Sequence, residues 1–317
     1  MGGFRSALTV LGGIFASYQV YRLLSFIRLY SRPGSLRRYK TDGKNEAPAW
    51  ALVTGATDGI GRGFAEELCA QGFNVVIHGR NEKKLDVERN KLLDAWPGRQ
   101  VRTLRIDAAT AFDDEQIFDA AAASLNDINL KVVINNCGGA GGMLSFLKLQ
   151  DRTSDDCRRF LDINARFPTE MTRVLLPQLL QQSPALIINI GSVTSDTGIP
   201  YLSVYSGCKA YNKAWSECLS NEMRAESKDI EALCVRISTV ATDNVPRETS
   251  LFVPNARQIA QSSLNRVGCG KSVVYAYWAH ALQAGMLDAM PKWLLNRTMI
   301  SAAREEKVRE EESVKSD

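Results

Sequence analysis

Ala49-Trp50-Ala51-Leu52-Val53-Thr54-Gly55-Ala56-Thr57-Asp58-Gly59-Ile60-Gly61 is the stretch on which the fold turns. Residues 49–53 form a short continuous apolar run, as a strand buried on both faces requires. Three glycines follow, and residues 60–71 then show helical spacing, with Phe64, Ala65 and Leu68 on one face. A strand, a glycine turn and a helix in that order suit a pyrophosphate. One glycine permits the sharp turn, another lets the backbone approach the phosphates, and the last lets helix and strand pack closely. The phosphates then meet a helix N-terminus, where free N–H groups and the helix dipole favour negative charge. Thr54, Gly55, Thr57, Asp58, Gly59, Ile60 and Gly61 are therefore candidate cofactor-binding residues.

Outward from this turn the pattern alternates. Strands are expected at 74–77, 101–106, 131–134, 185–190 and 231–236, and helices at 82–96, 113–124, 156–180 and 205–226. Such alternation predicts a single α/β domain with a Rossmann-type doubly wound parallel sheet. The expected organisation is a hydrophobic membrane-anchor segment at 1–30, a basic linker at 31–48, a catalytic domain at 49–265 and a helical extension at 266–317. The charged run 304–312 reads as a solvated helical end.

Composition narrows the chemistry. The 317 residues carry a formal charge of only +4, with no basic stripe interleaved with aromatics, which argues against nucleic acid as a partner. Seven cysteines are scattered without a C-x-x-C pair, which fits free thiols better than disulfides or zinc. The only histidines are His78 and His280, and no G-x-S-x-G elbow occurs, so neither a metal nor a Ser-His-Asp triad is expected. The totals favour chemistry supplied by a cofactor. His280 lies in an apolar aromatic stretch and reads as a packing residue. The nearby Tyr277, Trp278 and Trp293 are open to three readings: core, substrate entrance or membrane-interface belt.

Residues 7–30 are the most apolar long stretch, interrupted by Gln19 and Arg22. Arg22, Arg28, Arg32, Arg37, Arg38 and Lys40 lie in or after it, whereas only Arg5 precedes it. The positive-inside rule then puts the following domain on the cytosolic side, whether the segment spans the membrane or lies in the interface. The alternative is a helix docked on the domain or on a partner.

Two features set the cofactor and the reaction. The second strand ends at His78-Gly79-Arg80-Asn81. Where an NAD site places a carboxylate for the ribose 2′-OH, this chain has Arg80, whose fork suits a 2′-phosphate; NADP(H) is expected. The fifth strand ends near Ser192, and Tyr205 and Lys209 follow four residues apart on one helical face. Carbonyl reduction needs an acid near the nascent alkoxide. A phenol near its ordinary pKa of about 10 exchanges protons poorly at neutral pH, and an adjacent ammonium makes it a better one. Ser192 can hold the carbonyl oxygen from a second direction.

Together these residues resemble the short-chain dehydrogenase/reductase family. TGATDGIG (54–61) is similar to its glycine turn, Asn135-Asn136-Cys137-Gly138 to its N-N-A-G strand end, and Asn164, Ser192, Tyr205 and Lys209 to its catalytic residues. The resemblance implies that Asn164 holds a water extending a proton relay through Lys209, and that Lys209 also binds the nicotinamide ribose. It further implies that Asp107 contacts the adenine and that Asn135 ties the central strands together. Asn136 and Gly138 would line the cofactor, and Val240 with Thr242 would meet its carboxamide. The glycine-rich run 138–142 departs from the pattern and is expected to widen or loosen the edge of the site. The apolar N-terminus, the basic linker and the tail 275–294 are similar to the membrane-bound branch of very-long-chain 3-oxoacyl-CoA reductases and 17β-hydroxysteroid dehydrogenases. That branch implies an NADPH-dependent ketoreductase of lipid metabolism at the endoplasmic reticulum membrane, facing the cytosol and acting on an acyl-CoA or another hydrophobic ketone. A homodimer is compatible with it. Rival readings are a steroid or polyketide-type oxidoreductase and a non-catalytic nucleotide-binding membrane scaffold.

Overall fold

The computed structural model describes residues 2–40, 48–243 and 245–316. Met1, residues 41–47 of the expected linker, residue 244 and Asp317 lie outside the described residues. The chain begins with α1 (Gly2–Ser31) and enters the sheet at β1 (Ala49–Val53). Then come α2 (Gly59–Ala70), β2 (Asn74–Gly79), α3 (Glu82–Ala95), β3 (Val101–Arg105), α4 (Ile117–Ala123) and β4 (Asn129–Asn135). The second half runs α5 (Ser154–Leu161), α6 (Phe167–Gln181), β5 (Ala185–Ser192), α7 (Ser203–Ala225) and β6 (Ile230–Ile237). It ends with α8 (Ala256–Leu264), β7 (Val273–Tyr275), α9 (Trp278–Asp288) and α10 (Lys292–Ser316).

Among the described residues seven strands lie in the order β3-β2-β1-β4-β5-β6-β7, all parallel. The apolar run that marked β1 is buried throughout. Because side chains alternate along a strand, Leu52 and Val76 feed one layer with Phe167, Met171 and Leu175, while Val53 and Ile77 feed the other with Phe64 and Leu68. Each such side chain contributes about 1.5–3 kcal/mol of burial. The winding reverses between β1 and β4, which opens a crevice outside the carboxyl ends of these strands, the usual ligand position in such sheets.

Four departures from expectation have physical causes. β7 lies within the helical extension expected at 266–317 and pairs with β6, so the sheet of the domain runs past residue 265. The long helix expected over 156–180 is α5 and α6 joined by a π-helical turn, Asp162–Arg166. Part of the linker is packed: Leu36 and Tyr39 are buried in a short 3-10 turn, and Tyr39 Oη donates to Glu231 Oε2 at 2.8 Å. The C-terminal helix is tied to the domain, because Glu310 accepts hydrogen bonds from Ser145 N and Phe146 N.

α1 is long and apolar enough to cross a membrane by length and composition. Residues 4–25 are all exposed, and only its last turn meets the domain. There Tyr30 Oη donates to the Tyr275 carbonyl at 3.1 Å, and Arg266 donates to the Leu29 carbonyl while lying over the Tyr30 ring.

Candidate active site

The glycine turn follows directly from β1. Gly55 and Gly59 adopt φ of +64° and +50°, in the left-handed region. A Cβ on Gly61 would stand 2.0 Å from the Gly55 carbonyl oxygen, so only glycine lets α2 pack there. Asp58 caps α2 by accepting from Gly59 N at 2.6 Å. Thr57 and Ile60 are partly buried in the same turn. Thr54 Oγ1 donates to the Ile134 carbonyl and accepts from Asn136 N and Cys137 N, both at 2.9 Å. Asn136 Nδ2 donates to the Thr54 and Gly55 carbonyls at 3.0 and 3.2 Å. Thr54 and Asn136 thus brace the turn with their polar groups. A glycine turn that opens directly into a helix N-terminus fits a pyrophosphate.

His78, at the end of β2, is the turn's third brace. Its Nδ1 accepts from Gly55 N at 3.1 Å, and its Nε2 lies 3.1 Å from the Ile106 carbonyl, the arrangement of a neutral ring protonated at Nε2. Burial against Phe167 pushes its pKa down to about 4.

Arg80 is exposed beyond β2 and donates to the Gly141 carbonyl at 3.2 Å. Asp107, after β3, accepts from Ala109 N at 3.0 Å. Val240 is buried and Thr242 closes against the glycine turn, its Cγ2 lying 3.3 Å from where a Gly59 Cβ would stand. These residues therefore share the carboxyl edge of the sheet.

Ser192 ends β5, and its Oγ accepts from Thr194 N at 3.1 Å. Tyr205 lies half-buried in the first turn of α7, one turn before the buried Lys209. Lys209 Nζ lies 5.7 Å from the centre of the Tyr205 ring and donates to the Ile190 carbonyl at 2.9 Å. A Cβ on Gly138 would stand 3.3 Å from Lys209 Nζ and 3.0 Å from Asn164 Oδ1, so Asn164, Lys209 and Gly138 converge. Asn164 is wholly buried in the π-helical turn. Its Oδ1 accepts from Gly139 N at 2.8 Å, and its Nδ2 donates to the Gly139 and Phe160 carbonyls.

Sequence reasoning missed Asn212, which lies one turn beyond Lys209 and donates to the Asn164 carbonyl at 2.8 Å. Asn212 is also the end of a buried chain. Asn135 Nδ2 donates to Asn189 Oδ1, Asn189 Nδ2 to Ser216 Oγ, and Ser216 Oγ to the Asn212 carbonyl. The expected tie between the central strands is thus present, and it reaches α7. The glycine run is also more defined than expected. Gly139, Gly141 and Gly142 have φ of +94°, +63° and +97°, and Asn164 and Arg80 hold the loop by hydrogen bonds. The glycines serve a required left-handed path rather than a loosened edge.

A sequence profile described as short chain dehydrogenase matches residues 49–250. The chain belongs to the short chain dehydrogenase family. As a short chain dehydrogenase it is an oxidoreductase. It is similar to the very-long-chain 3-oxoacyl-CoA reductase of Neurospora crassa, 31% identical over 91% of this chain and 85% of the relative. The same-named protein of Aspergillus terreus is 32% identical over 98% of this chain and 89% of its own length. Among solved structures, a short-chain dehydrogenase from Sphingobium yanoikuyae in complex with NADPH superposes with a TM-score of 0.63 and 22% identity, over 78% of this chain and 95% of that one. That likeness establishes the fold.

In this short chain dehydrogenase His280 is wholly buried and bonded to Ser238 N and the Phe252 carbonyl, as a packing residue should be. Trp278 and Trp293 are exposed, which removes them from the core.

The neutral state of His78 has a measurable consequence. The unfolded ring takes up a proton near pH 6.5, whereas the folded ring resists until about pH 4. This contribution is complete above pH 6.5 and is lost as pH falls toward 4, by up to ~3 kcal/mol. Denaturant titrations across that window should show a steeper loss of stability for the native chain than for His78→Gln. Equal slopes would count against the assignment.

Proposed function

We propose that the protein is a membrane-anchored, NADPH-dependent ketoreductase acting on the 3-keto group of long-chain 3-oxoacyl-CoA or a closely related hydrophobic ketone. The observation that carries this reading is the convergence of Lys209, Asn164 and Gly138 beside a half-buried Tyr205, at the sheet edge where the glycine turn opens. When bound, the nicotinamide supplies the hydride that goes to the carbonyl carbon. Tyr205 Oη donates the proton to the carbonyl oxygen, and Ser192 Oγ donates a second hydrogen bond to it. Lys209, buried one turn further along α7, would replenish the phenol's proton through a water held beside Asn164 and would bind the nicotinamide ribose.

Arg80 supports the choice of NADPH: it is an exposed guanidinium at the end of β2, where a carboxylate would repel a 2′-phosphate. Asp107 would contact the adenine, and Val240 with Thr242 the carboxamide. The substrate class is supported by relatives that match beyond the family profile, over 91% and 98% of this chain. The anchor is supported by the exposed apolar surface of α1 and its basic flank, and the resemblance supports an endoplasmic reticulum membrane with the domain in the cytosol. A homodimer is compatible with the apolar groove lined by Leu161, Gly207 and Tyr211.

Tyr205→Phe should lower kcat on a panel of 3-oxoacyl-CoAs, steroids and polyketide ketones by about 10²–10⁴-fold while NADPH affinity is kept. Persistent turnover would sink the assignment of the acid, and turnover of steroids alone would overturn the acyl-CoA reading. Arg80→Asp should weaken NADPH by about 10–100-fold and spare NADH, as loss of a charge-assisted contact implies; an unchanged preference would remove Arg80 from the phosphate site. In an alkaline carbonate wash the intact chain should stay with the membrane pellet, and its release would argue against a spanning α1.

A further inference from the structure

α10 carries Glu306 and Glu310, one helical turn apart and so on the same face. Their carboxylates reach different segments. Glu310 Oε1 accepts from Ser145 N and its Oε2 from Phe146 N, each at 2.8 Å, so both oxygens are spent on consecutive backbone amides. Glu306 pairs with Arg247. Ser145 and Phe146 belong to the loop that leaves β4. Its near end is fixed on Asn164 through Gly139, and at its far end Leu147 N donates to the Tyr201 carbonyl at 3.4 Å, just before the turn of α7 that carries Tyr205. Arg247 lies in the segment after Thr242, whose side chain closes on Gly59. The two segments thus leave the carboxyl ends of β4 and β6, on either side of the β5 end that carries Ser192, and one helix fastens both.

We propose that α10 is a strap across the substrate cleft, and that Glu310 is a positioning residue that fixes the bank against which the body of a large substrate lies. Arg152 already holds the Leu144 and Ser145 carbonyls of this bank, and Glu310 holds its amides from α10. Three of its residues, Gly139, Gly141 and Gly142, are glycines, which lose the most conformational freedom on ordering. A carboxylate on two amides makes charge-assisted bonds strong enough to shift such a loop about tenfold in population, and too few to hold the fold together. Ala303, buried on the same helix, seats the strap independently of either carboxylate. A short ketone needs only Tyr205 and Ser192, whereas a long acyl chain must lie along the bank.

The kinetic consequence rests on the ketoreductase reading; the clamp itself does not. The test uses the full-length chain in detergent with Glu310→Ala, Glu310→Asp as the conservative variant, and Arg247→Ala to free the other segment. Amide exchange at Ser145 and Phe146 should quicken about tenfold in Glu310→Ala, with the β4 and β5 amides unchanged. KM for a long-chain 3-oxoacyl-CoA should rise about tenfold while kcat stays within about twofold, and KM for acetoacetyl-CoA should move much less. Glu310→Asp should restore part of both effects, and Arg247→Ala should reproduce the KM split. Unchanged exchange, or an equal rise in KM for both substrates, would overturn the proposal. If the native chain turns over neither substrate, the acyl-CoA reading falls and the strap stands or falls on the exchange measurement alone.

Discussion

Where β1 and β4 lie side by side, the winding of the sheet reverses and a crevice opens that the protein must keep free of side chains. The backbone groups at its rim still need partners. Thr54 Oγ1 meets this need by holding the ends of both strands at once, and Asn136 returns two bonds to the glycine turn. His78 adds a third brace from β2. Gly61 lets α2 approach, and Thr242 closes the far side.

A second constraint runs through the interior. The amides of Asn135 and Asn189 and the hydroxyl of Ser216 form a hydrogen-bonded chain from the middle of the sheet to the Asn212 backbone carbonyl, and the Asn212 side-chain amide donates onward to the Asn164 carbonyl. The π-helical turn at Asp162–Arg166 presents that carbonyl to a partner outside its own helix. Buried polar groups joined in this way are costly to disturb singly, because each loss strands a neighbour. Lys209 therefore stands beside a rigid wall rather than in a loop.

The strands β1 to β6 were legible because each centres on a short run of mostly apolar or β-branched residues between helical stretches, and Tyr205 with Lys209 was legible from spacing and place. β7 is three residues long and carries no period to detect. The break between α5 and α6 leaves the apolar spacing intact, so only the backbone reveals it. α8 did have a signal, the reciprocal capping of Asn255 and Gln258. Asn212 had none, since its partner lies 48 residues away. The run 304–312 looked like a solvated end because charge composition says nothing about which carboxylates meet a distant loop.

The joint between α1 and the domain has a mechanical side. Tyr30 and Leu29 are fastened to the β7 edge through Tyr275 and Arg266, and Tyr39 is fastened again to Glu231 on β6. β1 begins only after both fastenings. A pull along α1 would load the far edge of the sheet first, and the strand that carries the glycine turn would feel it last.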